Sequence, residues 1–489
     1  PGDAVWCLPD EFTDAQLALA LETLWQDPVR RMALGQRARE VIGRYYAPAV
    51  CADRYAEAIE TFWDQSKTGV PALIEALARK RLAPLETAEG LAIAQSMAHN
   101  HPEKRPARQL FLDVSGLVKE DSKTGVQRVT RSVLRELLHH PPAGHRVLPV
   151  YATPEIPGYC HARQFTLRFL DCPSDWVEDH PIEAQPGDLF LGLDLQHQVV
   201  IAQEDYLRHL YRIGIRVYFV VYDLLPVQMP HRFPPGTEPG HAAWLRTIAQ
   251  FDGALAISRA VMDSLREWLA IHGPARHRPF RLGWFHQGSD IDHSAPTTGL
   301  PGDAAAVLSQ WAGCPGFLMV GTLEPRKGHA QTLAAFESLW REGVQAHLVI
   351  VGRAGWMEAL VESIRSHPER NRRLFWLEDT SDEYLEKIYA ASTCLIAASE
   401  GEGFGLPLIE AARHKIPLIV RDIPVFREVA GEHAFYFRGM APEDLARAVK
   451  DWLEQYATGR HPSSEGLACL TWKDSVEQLK RTLHSFYSP

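Results

Sequence analysis

Short, continuous apolar segments alternate with amphipathic segments from about residue 109 to the end of the chain. Apolar strands separated by helices are typical of parallel sheets that are covered on both faces. The pattern therefore predicts an α/β fold with two doubly wound, Rossmann-like domains that face a cleft. The predicted strands are Leu110–Val114, Arg146–Tyr151, Asp188–Leu193, Arg216–Val221, Ala254–Ile257, Phe317–Val320, His347–Val351, Leu374–Leu377, Cys394–Ala397 and Leu418–Val420.

A polar turn around Asp290 and Asp292 divides the two series of strands. We expect one domain at 109–290 and a second at 291–489, with a helix at its end. Asp is favoured in turns, so this pair is interpreted as turn chemistry and no metal site is predicted. Residues 65–108 have the composition of a linker, with one short helix expected at Ala72–Leu82.

The first residues of the chain resemble a segment near its end. Gly2–Leu8 followed by Gln16–Leu21 is similar to Gly431–Phe437 followed by Asp444–Val449, at an offset of about 428 residues. Each copy has the pattern of a short apolar strand, a turn and a helix. We interpret residues 1–64 as the C-terminal remnant of a preceding tandem domain, and we expect other residues before Pro1. Chance similarity of two strand–helix units is the alternative.

Charge and composition exclude several classes of protein. A net charge of −10, from 51 Lys and Arg against 61 Asp and Glu, opposes binding to a nucleic-acid backbone. No apolar run reaches the ~18 residues that a membrane-spanning helix needs. The 7 cysteines are scattered without a Cys-x-x-Cys pair. Neither a disulfide framework nor a zinc site is predicted, and a reducing cytoplasm is expected.

Two loops that follow predicted strands carry the candidate binding residues, because ligands bind beyond the carboxyl ends of parallel strands. The loop Gly321–Gly328 places Arg326 and Lys327 side by side just before a helix. A guanidinium fork, an ammonium and a helix N-terminus all favour an anion, and the combination suits a diphosphate. The alternative is two solvated charges ahead of a helix.

The second loop contains three glycines at alternate positions, the last two being Gly403 and Gly405. This spacing allows the backbone to approach a ligand closely, and its N–H groups form an anion site with a helix that begins near Leu406. Glu402 lies in the loop and Glu410 one turn inside the helix, so both carboxylates can face one cleft. Carboxylates beside phosphate donors suit a sugar nucleotide. Leu406 replaces the third glycine of a dinucleotide motif, which disfavours hydride transfer, and no P-loop pattern is present.

Five motifs, in the same order along the chain, resemble the retaining family 4 glycosyltransferases of GT-B fold, which carry an E-x7-E pair. The resemblance extends from about Gln109 to the end of the chain, where Leu470–Ser475 is similar to the family's terminal helix. It identifies the two predicted domains as the acceptor side and the donor side of a GT-B cleft. The five motifs are Val320–His329, Leu348–Gly352, Ser381–Leu385, Glu402–Glu410 and Arg421–Val429.

The resemblance implies a role for each candidate residue. Arg326 and Lys327 would neutralise the donor diphosphate, and Glu402 would meet the transferred sugar. These three are the predicted catalytic residues, while Glu410 would hold the ribose hydroxyls. Further donor-binding positions implied by the family motifs are Gly125, Gly321, Gly403, Phe404, Gly405 and Leu406.

Two further segments are implied to border the site. Ser381–Leu385 would edge the nucleobase pocket, and Lys123–Arg128 is similar to the family's first loop, near the phosphates and the acceptor. Many members carry His-Asp after a central strand, whereas this chain has Tyr222 and Asp223. Whether Tyr222 and Asp223 take the role of the family's His-Asp is left open by this departure.

The function implied is retaining transfer of a hexose onto a growing bacterial surface polysaccharide, resembling mannan and O-antigen mannosyltransferase modules. GDP-mannose is the favoured donor, with GDP-rhamnose or a UDP-sugar as alternatives, and no metal or other cofactor is expected. The expected acceptor is a glycan, and a lipid-linked glycan is one alternative. Polysaccharide-assembly proteins at the inner face of the membrane are candidate partners. The alternative function is a non-catalytic module that binds a sugar nucleotide and orients a partner transferase.

Overall fold

A computed structural model describes residues 4–66, 90, 93, 107–121, 124–276, 278–290, 297–311 and 313–487. The chain divides into two compact units, Pro1–Lys104 and Arg105–Pro489. The predicted linker helix Ala72–Leu82 lies outside the described residues.

The helices of the described ranges are α1 (Asp14–Gln26), α2 (Pro28–Tyr45), α3 (Pro48–Ser66), α4 (Ser115–Lys119), α5 (Gly125–His139), α6 (Arg163–Phe169), α7 (His197–Ala202), α8 (Glu204–Arg212), α9 (Leu225–Gln228), α10 (Thr237–Ile248), α11 (Arg259–His272), α12 (Ala304–Ser309), α13 (His329–Arg341), α14 (Glu358–Arg365), α15 (Asp382–Ala391), α16 (Leu406–Arg413), α17 (Pro424–Ala430), α18 (Pro442–Ala457) and α19 (Trp472–Tyr487). The strands are β1 (Arg108–Asp113), β2 (His145–Tyr151), β3 (Cys160–His161), β4 (Leu189–Gly192), β5 (Arg216–Val221), β6 (Gly253–Ala256), β7 (Arg281–Trp284), β8 (Gly316–Val320), β9 (His347–Val351), β10 (Leu374–Leu377), β11 (Cys394–Ala397), β12 (Leu418–Arg421) and β13 (Phe435–Phe437).

In the first unit the described residues form the helices α1 to α3. Helix α1 begins at Asp14 because Thr13 caps it reciprocally with Gln16, and it contains the helix predicted at Gln16–Leu21. The prediction of a strand at Gly2–Leu8 is wrong for Ala4–Leu8, the part that the structure describes, because these residues have no regular structure. A strand needs a neighbour for its backbone hydrogen bonds, and the described residues of this unit offer none.

The second unit contains two sheets, and both have the predicted doubly wound order. The first has the strand order β3-β2-β1-β4-β5-β6-β7, parallel except for β3, and the second has the order β10-β9-β8-β11-β12-β13. Side chains of one strand alternate between two cores: Leu110 and Leu112 enter one, and Phe111 enters the other. Because both faces of each sheet are buried, its strands form the continuous apolar runs seen in the sequence.

All ten strands predicted from apolar runs are present, and their bounds differ from the predicted ones by at most two residues. The pattern does not predict β3, which has two residues at an antiparallel edge, or β7, an edge strand interrupted by Gly283. Edge strands bury less of their surface, so their apolar signal is weaker.

The terminal helix α19 lies against the first sheet's domain, although it follows the second domain in sequence. Its residues Thr482 and Phe486 pack so closely on Gly283 of β7 that a side chain there would overlap them. Gln478 accepts a hydrogen bond from the backbone N–H of His286 at 3.0 Å, and Ser475 donates to the carbonyl of the same residue. The domain boundary predicted at residue 291 does not anticipate that the terminal helix packs against the first domain.

Candidate active site

The carboxyl ends of the strands in both sheets open onto one cleft of about 710 Å³. All ten predicted site residues line it, so the structure brings together positions that are up to 285 residues apart, from Gly125 to Glu410. These residues are Gly125, Gly321, Arg326, Lys327, Glu402, Gly403, Phe404, Gly405, Leu406 and Glu410.

The cation loop follows β8 and precedes α13. Its residues Pro325–Lys327 form a single 3₁₀ turn that ends at Gly328, whose φ of 77° lies in the left-handed region. A side chain at Gly328 would also meet the carbonyl oxygen of Ala398 at 2.4 Å. The glycine therefore lets the turn pack against β11 and directs Arg326 and Lys327 into the cleft.

Glu402 joins both cations into one buried ion cluster. Its Oε1 accepts hydrogen bonds from the ammonium of Lys327 and from Ser399 Oγ, and its Oε2 lies 3.3 Å from Arg326 Nη1. Burial alone would raise the pKa of Glu402, but Lys327 and Arg326 outweigh burial and lower it to about 2. The carboxylate is therefore ionised at neutral pH and holds the two cations in place.

The other terminal nitrogen of the Arg326 guanidinium is also paired, since Nη2 lies 2.9 Å from Glu324 Oε2. The Nε of Arg326 has no hydrogen-bond partner among the described residues and is buried in the cleft. The cluster thus contains two cations balanced by two carboxylates. A diphosphate in this site would share both cations with Glu402 and Glu324.

The glycines of the second loop are required for a reason other than the one expected from sequence. A side chain at Gly403 would meet the backbone oxygen of Tyr222 at 2.1 Å, and one at Gly401 would meet Leu225 and Met229. All three of these neighbours belong to the first sheet's domain. The two glycines therefore allow the domains to approach each other, whereas Gly405 adopts a φ of 97° to start α16.

Glu410 lies one turn inside α16, as predicted, but it is already bonded on both oxygens. Its Oε1 lies 2.9 Å from Arg128 Nη1 of α5, and its Oε2 accepts a hydrogen bond of 2.8 Å from the hydroxyl of Tyr389. Burial lowers the pKa of the Arg128 guanidinium, but Glu410, Asp382 and other nearby groups together outweigh burial and raise it. Because α5 belongs to the first sheet's domain, this ion pair crosses the cleft.

Thr124 positions α5 in this contact. It caps the helix reciprocally with Gln127, so Gly125 becomes the first helical residue and lines the cleft. A side chain at Gly125 would meet nothing within 4 Å. Lys123, which belongs to the same motif, lies outside the described residues.

The residues in place of the family's His-Asp have separate roles. The hydroxyl of Tyr222 donates to the carbonyl of Leu193 at 2.9 Å and lies 3.1 Å from Thr130 Oγ1, so it is engaged within its own domain. Asp223 lines the cleft near Arg326, where burial raises its pKa and the guanidinium opposes that rise.

The segment expected to edge a nucleobase pocket also lies in the cleft. Ser381 caps α15 and donates to the carbonyl of Gly299 at 2.6 Å. Asp382 accepts two hydrogen bonds from Thr297, at 2.8 and 2.9 Å. The start of α15 is thus tied to the chain that enters the second domain.

Sequence reasoning assigned no individual role to several residues that line the cleft, among them Arg128, which lies within the motif Lys123–Arg128, and Gln287. Arg128 lies three residues after Gly125 in a helix, so the spacing of neighbours on one helix face could have indicated it. Gln287 follows an edge strand and carries no motif. Within the described ranges no group of three His, Cys, Asp or Glu could hold a metal ion.

Part of the chain matches a known family of glycosyltransferases. Residues 313–466 match the sequence profile of the family described as Glycosyl transferases group 1, so the chain contains a domain of this family. The solved structure of Anabaena HepE in complex with UDP and glucose superposes with a TM-score of 0.53 at 17% identity, covering 78% of this chain and 100% of that one. Sucrose-phosphate synthase from Thermosynechococcus elongatus gives the same TM-score and identity, over 78% and 99%. These neighbours confirm the GT-B fold.

The chain is similar in sequence to mannosyltransferases of Escherichia coli. It is 43% identical over 411 residues to the serotype-specific mannosyltransferase WbdA of Escherichia coli, which covers 83% of this chain and 50% of that protein. It is 31% identical over 116 residues to the O-antigen chain mannosyltransferase B of Escherichia coli, over 24% of this chain and 30% of that protein. The chain therefore spans about half the length of WbdA. No helix in the part of the chain that the structure describes is long and apolar enough to cross a membrane.

Proposed function

We propose that this chain is a retaining hexosyltransferase that moves mannose from GDP-mannose onto a growing bacterial surface polysaccharide. The observation that carries the proposal is the convergence of Arg326, Lys327, Glu402 and Glu410 in one cleft of about 710 Å³. That volume lies within the range of ~300–1,000 Å³ typical of ligand sites. The similarity to mannosyltransferases named for O-antigen synthesis supports mannose as the transferred sugar.

The electrostatics of the cation loop suit departure of a nucleoside diphosphate. Negative charge grows on the leaving phosphate as the bond to the sugar breaks, and preorganised donors in a buried site stabilise such charge. Arg326 and Lys327 supply positive charge at this site, and Glu402 holds both side chains in place. The diphosphate would share the two fixed cations with Glu402 and Glu324, and the proposed reaction requires no divalent metal.

Retention of configuration is proposed to follow from front-face substitution. The acceptor hydroxyl would attack on the side from which the phosphate departs, and the departing phosphate oxygen would take its proton. The protein then needs to align the two substrates and stabilise charge, without a separate base. Asp223, which lines the cleft and interacts electrostatically with Arg326, would meet the acceptor.

A donor screen with product analysis tests the proposal. The chain is incubated with an α-mannoside acceptor and GDP-mannose, GDP-rhamnose or UDP-glucose, each with and without EDTA, and products are identified by mass spectrometry and NMR. We expect an α-mannosylated product from GDP-mannose that is unaffected by EDTA. Lys327→Ala should lower kcat/KM about tenfold to a hundredfold, whereas the exposed Lys387→Ala, a matched loss of charge outside the cleft, should not.

Other outcomes separate the alternatives. Product from UDP-glucose alone would contradict the donor, and inversion of the anomeric centre would contradict the mechanism. Binding of GDP-mannose without turnover on any acceptor tested would favour a non-catalytic module. The acceptor, its lipid linkage and a location at the inner face of the membrane belong to the same proposal.

A further inference from the structure

One buried side chain in the cleft lacks the hydrogen bonds that its chemistry requires. Gln287 follows β7, lines the cleft and is 1% exposed. Neither its amide oxygen nor its amide nitrogen has a hydrogen-bond partner among the described residues. Most buried polar side chains in proteins are hydrogen-bonded, so an unpartnered amide at this position needs an explanation.

Another buried glutamine of the same domain, Gln203, is fully bonded. Gln203 is also 1% exposed, and its oxygen accepts from the N–H of Gly158 at 2.7 Å. Its nitrogen donates to the carbonyls of Thr153 and Ile156 at 2.8 and 2.7 Å. Gln203 does not line the cleft. The domain therefore satisfies a buried amide where it has a structural role, and the unpaired one faces the ligand cleft.

The backbone on both sides of Gln287 is held in place. His286 before it bonds to Gln478 and Ser475 of α19, and its ring packs 5.3 Å from the ring of Phe404 in the site loop. Ser289 after it donates its backbone N–H to the carbonyl of Leu470 at 2.9 Å. The amide is thus carried on an anchored segment beside the loop that contains Glu402, as a preorganised binding group would be.

We propose that Gln287 binds sugar hydroxyl groups of the donor nucleotide. An amide donates through its nitrogen and accepts through its oxygen, and neighbouring hydroxyls of a sugar can satisfy both groups at once. This inference rests on the proposed function, since it names a further contact in the same cleft. The competing explanation is an amide satisfied only by water, with no part in binding.

The test compares Gln287→Leu with Gln203→Leu in the full chain. Replacing an unpartnered amide by an apolar group of similar size removes an unsatisfied buried group, so Gln287→Leu should have a thermal midpoint equal to or above that of the wild type. Its affinity should fall about tenfold or more, measured by calorimetry with GDP, GDP-mannose, UDP and UDP-glucose. Gln203→Leu should show the reverse, a lower midpoint and unchanged affinity.

The set of nucleotides that Gln287→Leu binds more weakly shows which of the two sugars of the donor Gln287 contacts. Weaker binding of GDP as well as GDP-mannose assigns the contact to the ribose, and weaker binding of GDP-mannose alone assigns it to the hexose. Unchanged affinity of Gln287→Leu for a nucleotide that the wild type binds would overturn the inference. A lower thermal midpoint in both Gln287→Leu and Gln287→Met, with unchanged nucleotide affinity, would also overturn the inference. A wild-type chain that binds none of the four nucleotides would instead overturn the proposed function.

Discussion

Removal of the charge of Glu402 should affect both stability and turnover. The carboxylate accepts hydrogen bonds from Lys327 and Ser399 and pairs with Arg326, and only 11% of its side chain is exposed. Glu402→Gln retains the shape of the side chain but leaves the two cations with one fewer counter-charge. The variant therefore isolates the electrostatic part of the interaction.

The pKa of Glu402 sets the size of the effect on stability. Its fall from 4.5 to about 2 on folding corresponds to about 3 kcal/mol of stabilisation. Because the pKa is lowered in the folded state, this stabilisation is complete above pH 4.5 and is lost as the pH falls through 2. By this relation it decreases from about 3 kcal/mol at pH 7 to about 2 kcal/mol at pH 3.5.

Urea unfolding followed by tryptophan fluorescence measures this difference. We expect Glu402→Gln to be less stable than the wild type by about 3 kcal/mol at pH 7, with the gap narrowing at pH 3.5. Glu362→Gln, at an exposed carboxylate of α14, is the control and should change stability by less than about 0.5 kcal/mol. Equal unfolding midpoints for Glu402→Gln and the wild type at both pH values would refute the reasoning.

The same substitution should lower kcat about a hundredfold, the size found when one preorganised transition-state contact is removed. Glu410→Gln should act mainly on the KM for the donor, because the ribose changes little between ground state and transition state. Steady-state rates for both variants provide the measurement. A Glu402 variant with wild-type kcat would remove Glu402 from the catalytic residues.

Three further changes test other parts of the cleft. Gly125→Ala should leave the thermal midpoint unchanged, because a Cβ at this position would meet nothing within 4 Å, but should weaken nucleotide binding at least tenfold by occupying the cleft. Unchanged binding by calorimetry would contradict this. Arg128→Met should lower the thermal midpoint and raise the KM for the donor, because it leaves the carboxylate of Glu410 buried without its counter-charge. The double variant with Glu410→Gln should lose less stability than the sum of the losses of the two single variants, and additive losses would argue against coupling. EDTA should leave the initial rate unchanged, and restoration of a lost rate by Mg²⁺ or Mn²⁺ would show that a metal is needed.

Much of the architecture follows from local patterns in the sequence. Continuous apolar runs identify the central strands, because strands buried on both faces of a sheet cannot contain exposed polar positions. The placement of Arg326, Lys327 and Glu402 in one cleft also follows, since the carboxyl ends of parallel strands meet at the same edge. The interpretation of residues 1–64 as the remnant of a tandem domain remains a prediction.

Only the tertiary structure decides how the two domains meet. The pairing of Arg128 with Glu410, the close approach of Gly403 to Tyr222 and the return of α19 to the first domain each join residues far apart in the chain. Local patterns report which face of an element is buried, but not which distant side chain lies against it. Gln287 is the clearest example of what the sequence alone does not determine. Its lack of a hydrogen-bond partner among the described residues depends on every neighbour that packing brings near it, and no local pattern contains that information.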